Sequence, residues 1–133
     1  MESVEHITSN GKPVAYIMRG GMKPEKTTFL TPWHLSLQVG FVIYPAGGEI
    51  PRHTHLPLER HIVGTPEVLV VQKGCCEVDI YNDSRELVAT HFLQTGDVML
   101  LVSGGHGLRM LEDTILLEIK QGPYTGVEEK ERF

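Results

Sequence analysis

The apolar residues of this chain fall in short runs of strand length, and turn-forming residues separate the runs. No window longer than a turn or two keeps a helical period. The fourteen glycines and eight prolines are spread along the chain between these runs, at positions typical of turns and loops. In Cys76–Ile80, apolar residues alternate with acids, as in a half-buried strand. Many short strands at this spacing predict an all-β sandwich or barrel.

Nine strands are predicted from this pattern. They are Pro13–Met18, Leu35–Tyr44, Glu49–His55, Glu67–Lys73, Cys75–Tyr81, Glu86–Leu93, Asp97–Val102, Gly107–Leu111 and Thr114–Lys120.

Length and composition predict one small domain over residues 1–133, with a flanking N-terminal strand and a surface tail after Gln121. A net charge of −5 and the lack of a basic cluster argue against nucleic-acid binding, which leaves a small molecule or a protein as the expected partner. The acidic start Met1–His6 is unlike a signal peptide, and no apolar stretch approaches the roughly 20 residues of a membrane span. The adjacent Cys75 and Cys76 are expected to stay reduced, with one of them in the core, which favours a cytoplasmic protein.

Four residues suggest a metal site. His53 and His55 are two positions apart on a predicted strand, so their imidazoles would point to the same side. His106 lies in a glycine-rich bend before a later strand, and Glu67 opens another strand. Three imidazoles and one carboxylate form a mixed nitrogen and oxygen set suited to Fe, Mn, Ni, Co or Zn.

The spacing of these residues resembles the two motifs of the cupin family. In the first motif, five residues separate Gly47 from His53-Thr54-His55, and six residues separate Glu67 from Gly74. The second motif begins at Gly96. Five residues follow it, and the run Val102-Ser103-Gly104-Gly105-His106 then ends in the motif histidine, His106. The resemblance covers about residues 36–120. It implies a double-stranded β-helix, a jelly-roll-like barrel, holding one divalent transition metal through His53, His55, Glu67 and His106.

The chain departs from the cupin pattern in three places. Eleven residues separate His55 from Glu67, where the family has three or four. Glu59 satisfies the short spacing and is the alternative carboxylate ligand, although Glu67 keeps the spacing within its own strand. A third alternative is that the site has no carboxylate ligand. Val102 replaces the motif proline and one residue is missing before His106, while Met110 occupies the final asparagine position.

Three consecutive residues of the inserted loop, residues 56–66, carry polar chemistry: Glu59 is an acid, Arg60 is a cation and His61 is a possible proton carrier. Arg60 could hold a carboxylate or phosphate as a planar fork, and Glu59 or His61 could exchange a proton with a substrate. The alternative is a solvated loop whose apolar residues pack underneath or against a second subunit. Tyr44 and Met110 are further candidates for substrate contact; Tyr44 is otherwise a core or interface aromatic. Arg109 is expected on the opposite face from His106, in a salt bridge.

Three functions are compatible with the resemblance. The first is a metal-dependent isomerase, epimerase or lyase acting on a small oxygenated substrate such as a sugar or an oxo-acid. The second is an Fe(II)-dependent dioxygenase, and the third is a non-catalytic module that binds a small molecule. Fold alone does not choose among them. Exposed strand edges and the apolar insertion also predict a homodimer.

Overall fold

The computed structural model describes residues 4–126 and 129–133. Met1–Ser3, part of the predicted acidic start, and Val127 and Glu128, part of the predicted surface tail, lie outside the described residues. The described chain is all-β. Its strands are β1 (Glu5–Ser9), β2 (Lys12–Met18), β3 (Thr28–Phe29), β4 (Gly40–Phe41), β5 (Glu67–Lys73), β6 (Cys75–Tyr81), β7 (Leu87–Gln94), β8 (Val98–Leu101), β9 (Gly105–Met110) and β10 (Ile115–Lys120).

The strands form three antiparallel sheets. The largest has the order β1-β2-β8-β5-β10, the second has the order β7-β6-β9, and β3 pairs only with β4. The five-stranded and three-stranded sheets pack face to face through a shared apolar core, as in a β-sandwich. Strand β10 is an edge of the first sheet and β9 is an edge of the second, and the short Leu111–Thr114 turn joins them.

Both faces of the five-stranded sheet are covered over most of its width. On one face, buried residues such as Leu69, Met99 and Ile17 pack against Val78 and Ile80 of the three-stranded sheet. The other face packs against the irregular stretch between β2 and β5. That second layer consists of Tyr16, Met18, Met22, Val68 and Leu100, with partly buried neighbours that include Leu30, Leu37, Val39 and Phe41. Cys76 is buried in the first layer, and both cysteines are free, as predicted.

Seven of the nine predicted strands are present with small shifts at their ends. The prediction over Leu35–Tyr44 is wrong except at Gly40–Phe41, and the prediction of a strand over Glu49–His55 is wrong. Strand β1 was not predicted. The three sheets of the described residues do not close into a barrel. We also find in the described residues no helix with the length and apolar character needed to cross a membrane.

Residues 42–66 contain no strand, and we call them the 42–66 segment. Its main local feature is a turn in which the Gly48 amide donates to the Pro45 carbonyl oxygen at 3.0 Å. Gly47 has a φ of 83° in this turn, a conformation that glycine adopts without steric cost. Several large apolar side chains of the segment are exposed, among them Val42, Ile50, Leu56, Leu58 and Val63. These apolar side chains are therefore not covered by a sheet of the described structure.

The carboxylate of Asp97 ties the turn before β8 to the end of β2. It accepts hydrogen bonds from the Gly20 amide and the Gln94 amide, both at 2.9 Å, and from Arg19 at 3.0 Å. Arg19 also pairs with Glu5 of β1 at 2.5 Å. The Asp97 side chain is only 3% exposed, so this network is shielded from water.

Replacing Asp97 by alanine should therefore lower the free energy of unfolding by about 3 kcal/mol, because two amides and a guanidinium lose a buried partner. Urea denaturation of Asp97→Ala and of the exposed control Asp113→Ala measures this effect. The control should change stability by less than about 0.5 kcal/mol. Equal effects of the two substitutions would contradict the importance of the network.

Candidate functional site

Glu67 and His106 meet between the two packed sheets. Glu67 is the first residue of β5 and His106 is the second residue of β9. The His106 Nε2 atom lies 3.0 Å from the Glu67 Oε1 atom. The Glu67 side chain is 11% exposed and that of His106 is 30% exposed, so the pair is accessible from one side only. Both were predicted metal ligands, and the structure brings these two together.

The inward direction of His106 follows from strand register. In β9, His106 is opposite Ile80 and Leu108 is opposite Val78, and both partners are completely buried in the core between the sheets. Arg109 is out of phase with them and projects from the outer face. There it forms an ion pair with Asp79 and lies 3.7 Å from Glu77. The predicted salt bridge of Arg109, on the face opposite His106, is therefore confirmed.

Glu118 is a third member of the site, and the sequence analysis missed it. It lies on β10 opposite Leu69, next to the register pair of Glu67 and Lys120. A hydrogen bond from His106 is the main cause that lowers the pKa of Glu67 to about 2, and burial partly opposes it. The pKa of Glu118 is raised, first by its hydrogen bond with the Glu67 carboxylate and then by burial. Glu67 therefore stays ionised, while Glu118 is the carboxyl group that takes up a proton more readily.

His53 and His55 lie in the exposed 42–66 segment. Their ring centroids are 5.3 Å apart, and the His53 Nδ1 atom lies 2.8 Å from the Pro51 carbonyl oxygen. Within the described part of the chain, no three His, Cys, Asp or Glu side chains are grouped so that they could hold a metal ion. Two of the four predicted ligands thus fit one site, and the histidine pair does not join them in this conformation.

The remaining predicted site residues are all exposed. Glu59, Arg60 and His61 belong to the 42–66 segment, as does Tyr44, which is 50% exposed. Met110 ends β9 opposite Cys76 and is 51% exposed. Their assignment to catalysis or substrate contact stays a prediction.

A cleft of about 730 Å³ opens beside the Glu67 and His106 pair, and we call it the Glu67 cleft. Glu118 and Lys120 line one side of it, and Tyr81 and Arg85 line another. Residues 129–133 also line the Glu67 cleft, and we call them the 129–133 segment. Sequence reasoning placed this segment on the surface and gave no reason to connect it with the site.

Two side chains of the 129–133 segment, among its contacts with the rest of the chain, meet Arg85 and Tyr81. The Glu131 carboxylate lies 3.0 Å from the Arg85 guanidinium, and the Phe133 ring packs edge-on against Tyr81 with centroids 5.1 Å apart. The Arg85 guanidinium also lies over the Phe133 ring at 5.1 Å. Gly105 makes room for this ring, because a Cβ atom there would be 2.9 Å from it.

Comparison of the chain with known proteins identified no relative: no protein-family model, curated protein or solved structure matches it.

The low pKa of Glu67 predicts how its contribution to stability depends on pH. A carboxyl group with a folded-state pKa of about 2 and an ordinary value of 4.5 stabilises the fold fully above pH 4.5. That contribution is lost as the pH falls towards 2. Glu67→Gln should therefore lower the free energy of unfolding of chelator-treated protein by up to about 3 kcal/mol at pH 6, and by clearly less at pH 3.

Urea denaturation at several pH values checks this dependence, with the exposed Glu112→Gln as the matched control. The control should differ from the unmodified chain by the same small amount at every pH. A Glu67→Gln effect that is as large at pH 3 as at pH 6 would contradict the assignment.

Proposed function

We propose that this chain is a metal-binding cupin that holds one divalent transition metal through Glu67, His106, His53 and His55. The observation that carries the proposal is the contact of Glu67 with His106 at 3.0 Å, because the two residues come from separate motifs and separate sheets. The ionised Glu67 carboxylate and the His106 imidazole would supply two of the four ligands of a mixed oxygen and nitrogen set. Between the two possible carboxylate ligands, this contact favours Glu67 over the exposed Glu59.

The histidine pair would join the site if residues 49–55 added to the open edge of β9. Among the residues that the structure describes, β9 pairs only with β6, so its other edge has backbone groups available for a further strand. Residues 49–55 are unpaired and contain the exposed Ile50, whose burial would favour such an addition. Because side chains alternate, His53 and His55 would then share one face of the added strand.

The reaction class that the site supports best is isomerisation or lyase chemistry on a small oxygenated substrate. A bound metal ion would supply a Lewis acid for a substrate oxygen. The supporting observation is the chain's own proton carrier: Glu118, with its raised pKa, lies beside the ionised Glu67. A carboxyl group that holds its proton more tightly than usual is suited to general acid and base catalysis. Glu59 and His61 of the inserted loop stay as additional candidates for proton transfer.

The metal site makes a prediction for metal content. Untagged protein purified without added metal or chelator should contain one equivalent of one transition metal, measured by inductively coupled plasma mass spectrometry. His53→Ala and His106→Ala should each lower the metal content at least tenfold, because each removes one of the four proposed ligands. The identity of the metal also separates the reactions, since iron would favour the dioxygenase alternative.

The matched control is His34→Ala, which removes an imidazole that contacts Trp33 and is not a proposed ligand. This variant should keep its full metal content. Unmodified protein that stays free of metal after incubation with Fe, Mn, Ni, Co and Zn salts would refute the proposed site.

We also propose a homodimer that covers the outer face of β10. Ile115, Leu117 and Ile119 alternate along this edge strand and are each 51% exposed. Leu116, between them, points into the core instead and is partly buried there. The second layer of packing on this face of the sheet includes Val68 of β5 and Leu100 of β8 but does not include these three side chains. An apolar stripe on an open edge is the kind of surface that a second copy buries in a two-fold interface.

Light scattering at micromolar concentration should therefore give twice the mass of the chain, and Leu117→Glu should give the monomer mass. Leu87→Glu is the control, since Leu87 is 59% exposed on a different edge strand, β7. A monomer mass for the unmodified chain would contradict the dimer, and so would a dimer mass for Leu117→Glu.

A further inference from the structure

The 129–133 segment occupies one side of the Glu67 cleft in a way that resembles a bound ligand. It contributes an anionic group, the Glu131 carboxylate, and an aromatic ring, that of Phe133. Both are received by side chains of the sandwich, Arg85 and Tyr81. Phe133 itself stays 62% exposed, and the Arg85 and Glu131 side chains are 50% and 80% exposed. The segment therefore rests on the cleft without being buried in it, and its contacts are weak enough to be replaced.

Arg85 is held firmly although it is exposed. It has a φ of 62°, a left-handed conformation that side chains other than glycine rarely adopt. The turn around it fixes this conformation: the Arg85 amide donates to the Asn82 carbonyl oxygen, and the Asn82 side chain accepts from the amides of Ser84 and Glu86. Strained residues of this kind concentrate at sites that bind ligands. The turn presents the guanidinium to the cleft from a defined position.

Displacement of Glu131 would make the Arg85 guanidinium, which lines the cleft, available to another anion. Glu67 is paired with His106, and Asp83 on the same rim is paired with Lys12. Glu118 is hydrogen-bonded to Glu67. Arg85 would then be a cation without its carboxylate, and a planar guanidinium binds carboxylate and phosphate groups through paired hydrogen bonds.

We propose that the Glu67 cleft binds a small molecule with a carboxylate or phosphate group, which takes the place of Glu131 on Arg85 and packs an apolar or planar part on Tyr81. The 129–133 segment is then a built-in competitor that leaves when the ligand enters. This inference rests on the proposed function only in taking the cleft beside Glu67 and His106 as the binding place, and it needs no metal.

Phenyl phosphate is a suitable probe, because its phosphate group replaces the Glu131 carboxylate and its ring replaces that of Phe133. Isothermal titration calorimetry on the full chain, treated with chelator, measures its affinity. Glu131→Gln should bind phenyl phosphate about three- to tenfold more tightly than the unmodified chain, because the internal competitor is weakened. Arg85→Asn should bind it at least tenfold more weakly, and asparagine is chosen because it tolerates a positive φ.

Arg109→Gln is the matched control, since Arg109 lies on the outer face and pairs with Asp79. It should leave the affinity unchanged. Unchanged binding of phenyl phosphate by Arg85→Asn would overturn the proposal. Unchanged or weaker binding by Glu131→Gln would also overturn it, and this second test holds even if Arg85→Asn fails to fold. A second titration, with inorganic phosphate, separates the contribution of the anionic group from that of the ring. The affinities of the variants for inorganic phosphate should follow the same order and should all be lower.

The outcome is independent of the metal site. His53→Ala should bind phenyl phosphate as the unmodified chain does, whatever its metal content. Loss of metal in that variant with retained phenyl phosphate binding would support both proposals. Metal in the unmodified chain with no difference among the Arg85, Glu131 and Arg109 variants would overturn the anion site alone.

Discussion

The burial of both faces of the five-stranded sheet is the constraint on which the rest of the structure depends. Its inner strands carry apolar side chains on both sides, as in Val68–Val71 of β5 and Met99–Leu101 of β8. One side packs on the three-stranded sheet, and the other side packs on the irregular stretch after β2. This packing fixes β5 as an inner strand between β8 and β10. It also leaves β10, beside β5, as an edge that is covered on one face only.

The position of the candidate site follows from that arrangement. Glu67 is at the start of β5, where the strand leaves the double apolar layer, so a carboxylate is tolerated there with a partner. His106 reaches it from the edge strand of the opposite sheet, and Glu118 reaches it from the neighbouring edge. The site thus lies at the open side of the sandwich, where the apolar core ends and polar groups retain access to water.

Much of the fold could be predicted because local pattern and tertiary packing agree. Strands β5 and β6 have the predicted bounds, since glycine and proline residues mark their ends and their apolar residues are buried. The predicted strand over residues 49–55 is absent, because a short run between turn residues does not supply a neighbouring strand with which to pair. Strand β1 was missed because its sequence has little apolar content. Its pairing with β2 and the ion pair of Glu5 with Arg19 hold it in place, and Ile7 is its one buried residue.

The candidate site was predictable only in part, for a related reason. Motif spacing identified Glu67 and His106, which strand register holds together. Glu118 carried no motif and is identified only by the register of β10 against β5. The contacts of Arg85 with Glu131 and of Tyr81 with Phe133 join positions 46 and 52 residues apart in sequence, and no local pattern predicts them.

The two halves of the proposed metal site differ in how they are fixed, and this difference has an energetic consequence. Two sheet registers position Glu67 and His106 before any ion arrives, whereas only local contacts near Pro51 position His53 and His55. Assembly of all four ligands must then include the free-energy cost of ordering residues 49–55, a cost that scales with the number of residues fixed. Burial of Ile50 and new backbone hydrogen bonds to β9 would offset part of it. Metal affinity and the docking of this strand are therefore thermodynamically linked, so that each stabilises the other.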